Sequence, residues 1–486
     1  MQIWIPRGYI HCIFYLAISL YSVAGLAGTP PDDFGLGVQK NLAENSPSLF
    51  GVQQPVSAST HPPQVREPEQ KPTDILVLAE GLQADFLTRE AAHRADMFAF
   101  WPDDAHPTHL VFCIEANRAQ IKPGKWNPSI QRIDISNGQV TTVLRGMHGC
   151  DGIRRTPWGT LLATEERGDG HAYELLDPIA MNNVVVVNRE KGELSEAKLI
   201  ARRNALPTMA WEGLAVLSNG VVIAGDELRP GSKTNGEAGG AIYKFVPTKP
   251  APAKHVQRLE DSPLVAGKVY ALRVDCQADS HGKFPQYGQG CEVGNGSWVK
   301  VNAASARADA KAIGATGYYR PEDLEADPLY TGAGVRFCWT NTGNKDAGNY
   351  GEVMCGIDSN PTLAEAKQAS VSVQRFIEGD LEFNSVDNLA FQPRTGNLYV
   401  LEDDTHGEIY ACLPDGGDRD LKSDGCVRIL ALKDPTAEPT GFAFSADGQT
   451  AYLSIQHSDD ALMPLVDDYP TDDIVRIRGF KIPRQP

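Results

Sequence analysis

Six short stretches of this chain repeat one pattern: an apolar strand opening, a turn on Gly, Asp or Pro, and a second short strand. They run from Asp96-Met-Phe-Ala-Phe to Glu115, from Gly152-Ile to Glu166 and from Glu212-Gly-Leu-Ala-Val to Glu227. The other three run from Glu322-Asp-Leu-Glu-Ala to Asn341, from Asp387-Asn-Leu-Ala-Phe to Asp404 and from Thr440-Gly-Phe-Ala-Phe to His457. A strand pair of this size cannot bury both faces alone, and units recurring every few tens of residues stack around an axis. The pattern predicts an all-β chain, a six-bladed β-propeller with loop insertions. The interval from 212 to 322 exceeds one blade, so the main insertion belongs there, with a strand over 268–274 and an Ala-rich helix over 303–313.

In a propeller the innermost strands line a central channel, so residues opening the repeats should share one height. Asp96, Glu212, Glu322 and Asp387 are such openers. Carboxylates that converge raise one another's pKa, and bound cations relieve them, with hard oxygen donors favouring calcium or magnesium.

The chain is acidic, with 62 Asp and Glu against 45 Lys and Arg and a net charge of −17. That balance argues against a nucleic-acid or anionic-membrane surface. Residues 1–28 read as a Sec-type signal peptide: Arg7, an apolar run from Ile10 to Val23, then Ala24, Gly25, Ala27 and Gly28. The expected location is secreted or periplasmic, with no membrane insertion of the mature chain. Without Cys12 the cysteine count is even, which in an oxidising compartment favours disulfides. Neighbour spacing pairs Cys276 with Cys291, Cys338 with Cys355 and Cys412 with Cys426, leaving Cys113 for Cys150. Residues 29–75, rich in Pro, Gln, Ser and Thr, read as a disordered spacer or a strap on the propeller, and 76–486 as one catalytic propeller domain. A monomer is expected.

Arg320-Pro321-Glu322 sets a cation and a carboxylate two positions apart at a strand mouth, where both side chains point to one side. A phosphate suits that pair, its oxygens taken by the guanidinium and by a metal held on Glu322; a surface ion pair is the plain alternative. In Thr164-Glu165-Glu166 strand alternation lets one glutamate enter the channel, and Glu165 is expected there, with Glu166 bracing a loop. Asp387-Asn388 offers a carboxylate and an amide oxygen to calcium, and Glu438 precedes the sixth repeat as a further ligand. His457 is a candidate for substrate contact or proton transfer, or else caps a strand. Asp226-Glu227 and Glu402-Asp403-Asp404 add carboxylates at second-strand ends, some of them ordinary turns. No Gly-x-Ser-x-Gly elbow, Walker loop, dinucleotide fingerprint or His-Glu-x-x-His is present, which leaves metal-assisted hydrolysis.

Several segments together resemble the PhoX-type alkaline phosphatase family. They are His148-Gly-Cys-Asp-Gly-Ile-Arg-Arg-Thr-Pro-Trp-Gly-Thr160 with Glu165 and Glu166, Trp211-Glu-Gly213, Gly314-Ala-Thr-Gly-Tyr-Tyr-Arg-Pro-Glu322, Val386-Asp-Asn-Leu389, and Glu438-Pro-Thr-Gly441 through His457. The resemblance implies a secreted phosphatase on a six-bladed propeller, with iron and calcium at the channel mouth and a small phosphate monoester as substrate. It makes Glu165, Glu212, Glu322, Asp387 and Asn388 metal ligands or their neighbours, and Arg320 a phosphate clamp. The family pattern places a cysteine before the paired glutamates, where this chain has Thr164. A hydroxyl is a poor substitute for a thiolate on iron, so Ca2+ is expected to remain and Fe3+ to be absent, altered or replaced by another transition metal. Two other classes stay open: a calcium-dependent propeller esterase or lactonase, and a non-catalytic calcium-stabilised binding propeller.

Overall fold

The fold comes from a computed structural model that describes residues 34–229, 239–274, 292–363, 370–414 and 425–482. The expected signal peptide and the Cys276–Cys291 pair lie outside the described residues. Among the described residues, no helix is long and apolar enough to cross a membrane.

The chain is all-β in character, its sheets arranged like the blades of a propeller. Each sequence repeat forms the two inner strands of a sheet, and later strands add outward. The strand Val386–Phe391 is followed antiparallel by Leu398–Glu402, Glu408–Cys412 and Cys426–Leu432. The innermost strands are Ala95–Trp101, Cys150–Arg155, Trp211–Val216, Pro321–Ala326, Val386–Phe391 and Glu438–Phe444. Each packs against the next in that order, and the last returns to the first, so they enclose a channel. They approach closely: a Cβ on Gly152 would lie 2.0 Å from the Glu212 carbonyl, and one on Gly213 would lie 1.9 Å from Asp323 Oδ1. Only glycine allows those contacts.

Two devices close and weld this arrangement. The strand Gln83–Ala92 pairs with the C-terminal strand Thr471–Arg478, Gln83 opposite Arg478 and Ala92 opposite Thr471, then leads into the first inner strand. The last sheet is thereby completed by the start of the chain. In the long insertion, Gly294–Val301 pairs on one side with Gly267–Val274 and on the other with Val371–Glu378, joining two sheets into one of nine strands. The Ala-rich stretch expected as one helix divides into a 3-10 turn, Ala303–Ser305, and the helix Ala306–Ala312.

Of residues 29–75, expected as a spacer or strap, the part described from residue 34 is anchored at a few buried positions while most of 53–74 is exposed. After the helix Phe34–Glu44, Phe50 and Val52 are buried in the cluster that holds Tyr399, Phe444 and Phe480. Arg66 is buried against Asp473, which Arg89 also grips at 2.9 Å. Disulfides join Cys113 to Cys150, Cys338 to Cys355 and Cys412 to Cys426, as the spacing predicted.

Candidate metal and phosphate site

Asp96, Asp151, Glu212, Glu322 and Asp387 each occupy the second position of their inner strand, and Glu438 the first. In all six inner strands the pairing register shifts at the mouth: between Ala95 and Phe98, Cys150 and Ile153, Trp211 and Leu214, Pro321 and Leu324, Val386 and Leu389, and Thr440 and Ala443. A bulge there turns the strand end and re-aims its side chain. Five of the six shifts bracket an acidic residue, and the result is a ring of carboxylates at one channel mouth.

Three groups of carboxylates have oxygens within 4.8 Å of one another: Asp151, Glu166 and Glu212; Glu212, Glu322 and Asp387; and Asp387, Asp403 and Glu438. Shared Glu212 and Asp387 link them into one arc. Burial is the first cause that drives the Asp151, Glu166, Glu212, Glu322, Asp387 and Glu438 carboxyls well above the ordinary range; neighbouring carboxylates add to it, and beside Glu322 the Arg320 charge opposes it. Asp151 Oδ1 and Asp387 Oδ1 are buried without a hydrogen-bond partner. Buried acceptors left unmet are costly. An all-oxygen donor set with orphaned carboxylate oxygens fits hard divalent ions such as calcium.

Arg320 stands over this arc in a left-handed backbone conformation, φ 57°. Its Nε donates to Glu227 Oε1 at 2.7 Å, and its Nη2 lies 2.8 Å from Glu322 Oε1. The Thr342 hydroxyl donates to the same Glu322 oxygen. Beside Arg320 opens a cavity of about 360 Å³ whose walls include Arg229, Tyr319, Asn344, Lys345, Ser385 and Asp403. A larger cavity of about 590 Å³ lies by the Arg307–Asp226 ion pair, has several alanines in its wall, and contains no member of the arc.

Glu212, Glu322, Asp387 and Glu438 meet at the mouth, and Arg320 sits beside them. Glu165 does not join: it is fully buried, 2.9 Å from Arg189 Nε, and accepts backbone N–H groups of His148 at 2.9 Å and His171 at 3.1 Å. Glu166 takes the channel place instead. Alternation does admit one of the two, but Glu165, the last residue of its strand, faces Arg189, and Glu166 beyond it bridges to Ala210, just ahead of the next inner strand. Asn388 Oδ1 accepts from the Thr440 hydroxyl at 2.6 Å and from Gly441 N–H at 3.1 Å, so its amide oxygen is engaged at the sixth strand. His457 Nδ1 lies 3.3 Å from Glu438 Oε2 at φ 63°. Burial and then Arg94 hold its imidazole below the usual range, giving a neutral ring against that carboxyl. Asp96 is satisfied by the Thr440 hydroxyl and by Gln456 Nε2 at 3.2 Å. The sequence assigns no ligand role to Asp151 or Asp403, and it expects Glu166 to brace a loop. Asp151 was findable, since it precedes Gly152 in the second repeat by a single step. Thr164 donates its hydroxyl to the Gly152 carbonyl at 3.0 Å and so is satisfied within its own sheet.

Residues 220–459 match the family model described as alkaline phosphatase PhoX. That span holds Arg320, Glu322, Asp387, Asp403, Glu438 and His457, while Asp151, Glu166 and Glu212 precede it. Among solved structures the chain is similar to Pseudomonas fluorescens PhoX in complex with vanadate, at 14% identity and TM-score 0.58, over 86% of this chain and 98% of that one. A gluconolactonase from Xanthomonas campestris aligns at 12% identity and TM-score 0.40 over 88% of this chain and 98% of that one. No curated protein matches by sequence.

Proposed function

The chain belongs to the PhoX alkaline phosphatase family, and on that premise we propose that it is a metal-dependent phosphatase acting on phosphate monoesters at the channel mouth. The observation that carries this reading is the arc of carboxylates, buried or half-buried except at Asp403, with partnerless Asp151 Oδ1 and Asp387 Oδ1, set against the half-buried Arg320. In this reading Asp151, Glu166, Glu212, Glu322, Asp387, Asp403 and Glu438 hold the ions. Calcium is the expected occupant. Among the described residues no thiolate is near at hand for iron, because Cys113 and Cys150 form a disulfide and Thr164 is committed to Gly152. When bound, the ions neutralise the carboxylates, polarise the phosphoryl oxygens and make a coordinated oxygen nucleophilic.

The chain's own residues supply positioning. Arg320 donates to the phosphoryl oxygens and meets the charge that builds on them in the transition state. Glu227 fixes that guanidinium from behind, and the Thr342 hydroxyl fixes Glu322. His457 braces Glu438 in place of touching substrate. Arg320 is also what favours a phosphate ester over a lactone, since a neutral ester gives a guanidinium no anion to clamp.

The same reading carries a count of six blades, supported by the six inner strands that close on one another. It carries a single propeller domain over 76–486, and export by the signal peptide of residues 1–28, to which the disulfides are suited. The test is metal analysis of protein purified without chelator, followed by hydrolysis of a generic aryl phosphate with and without calcium. Calcium-dependent release of phosphate is expected. Turnover of a simple lactone without phosphate release would favour the esterase reading, and no turnover of either the binding propeller.

A further inference from the structure

We propose that the cavity beside Arg320 is the leaving-group pocket, and that it selects phosphate esters whose alcohol carries a second anionic group, recognised by Lys345 and Arg229. This inference rests on the phosphatase reading and deepens it.

The cavity has Arg320 and Asp403 in its wall, so it opens directly from the proposed phosphoryl site. At about 360 Å³ it is much larger than a phosphate needs, given that one water takes about 30 Å³ of liquid volume. The rest of the space must take the alcohol. Among the described residues its walls are Tyr319, Thr342, Asn344 and Ser385 with three cations and two carboxylates, Asp346 and Asp403, and contain no aliphatic side chain. An apolar alcohol would gain little there, and a polar one finds donors and acceptors on every side.

Two cations stand at the rim, each held by a carboxylate that is not itself part of the wall. Arg229 Nε lies 3.2 Å from Glu227 Oε1, the oxygen that Arg320 also grips, so two guanidinium groups share one carboxylate oxygen. Lys345 pairs with Asp404. Their side chains remain 68% and 44% exposed, leaving donors to offer an incoming anion. Lys345 is placed with little freedom. It opens the turn Lys345–Ala347, Asn344 and Asn349 bridge the base of that turn, and Asn344 Nδ2 donates to the Tyr319 hydroxyl at 3.0 Å. A cation whose backbone is pre-set loses less freedom on gripping a ligand. In a chain of net charge −17, cations gathered at the approach to an acidic site draw anions toward it.

The probes are matched pairs that differ by one carboxylate. Phosphonoacetate and ethylphosphonate are compared by calorimetric binding to the calcium-loaded protein, and phosphoglycolate and ethyl phosphate by kcat/KM. The expected preference for the carboxylate-bearing member is about tenfold in both measurements, roughly what two partly exposed charge contacts supply. Lys345→Met and Arg229→Met each reduce the preference several-fold, the double variant brings it near unity, and Lys345→Arg retains it. Equal handling of each pair by the wild type, or a preference untouched in the double variant, overturns the proposal while leaving the phosphatase reading standing. Failure to bind or hydrolyse any of the four compounds overturns both.

Discussion

Arg320 combines two unfavourable conditions: a non-glycine backbone at φ 57° and a guanidinium only 13% exposed among carboxylates. Left-handed backbone of this kind costs about 1–3 kcal/mol and persists where the surroundings fix it. Here Glu227 and Glu322 fix it, and the strain goes into aiming the guanidinium across the acidic arc. Arg320→Ala is expected to reduce phosphate-ester kcat/KM by about 100-fold or more, as for loss of a charge-stabilising donor, with calcium content intact; an unchanged rate removes Arg320 from the mechanism. The two glutamates separate just as sharply. Glu166→Gln is expected to weaken calcium binding at least tenfold by titration calorimetry, whereas Glu165→Gln keeps the calcium and lowers unfolding stability by about 1–3 kcal/mol as Arg189 loses its buried partner. Equal loss of calcium in both would return Glu165 to the ligand set. Glu212, Glu322, Asp387 and Glu438 were legible because each stands at a repeat opening or directly before one. The choice between Glu165 and Glu166 was not, because alternation sends the two to opposite sides without saying which side faces the channel.

At the scale of elements, the repeats predicted the strand pairs well because the apolar alternation is local. What welds the sheets to one another was hidden, since it joins residues far apart in sequence. Lys244 and Asp358 illustrate this. Both are fully buried, their ion pair spans 2.8 Å between adjacent sheets, and Trp298 of the connecting strand donates its indole N–H to Asp358 at 2.8 Å while its ring lies under the ammonium. Lys244→Met is expected to lower stability by about 3–5 kcal/mol because it strands a buried carboxylate, and Lys244→Met with Asp358→Leu to recover most of the loss. Denaturant unfolding of the two variants checks this; a double variant as weak as the single one would show that the pair stabilises beyond its own neutralisation. The disulfides divide similarly. Cys338 and Cys355 face each other across one hairpin, as do Cys412 and Cys426, whereas Cys113 lies on the second strand of one sheet and Cys150 on the inner strand of the next. The Cys113–Cys150 bridge also closes the longest loop of the three, 37 residues against 17 and 14.

For the whole molecule, the closed ring of inner strands is what forces the carboxylates together, and the same closure makes stability depend on what neutralises them. Without ions the neutralising agent is the proton. Burial pushes Asp96 up to about 7 and carries its neighbours Asp151, Glu212, Glu322, Asp387 and Glu438 well above the ordinary carboxylate range. In the unfolded chain these groups release their protons near pH 4. Between that pH and the raised folded values the native state holds more protons than the unfolded one, so stability falls as pH rises, by about 1.4 kcal/mol per pH unit for each proton retained. Chelator-treated protein should therefore be most stable near pH 4–5 in this respect and weaken steadily through pH 7. Bound calcium would reverse the balance by taking the ionised carboxylates and displacing those protons, with a stabilisation that grows with pH as RT ln(1 + [L]/Kd). Melting curves with excess calcium and with chelator should diverge progressively from pH 5 to pH 8. Parallel curves would mean that the carboxylates are met within the protein itself, and that no ion is needed to hold the ring together.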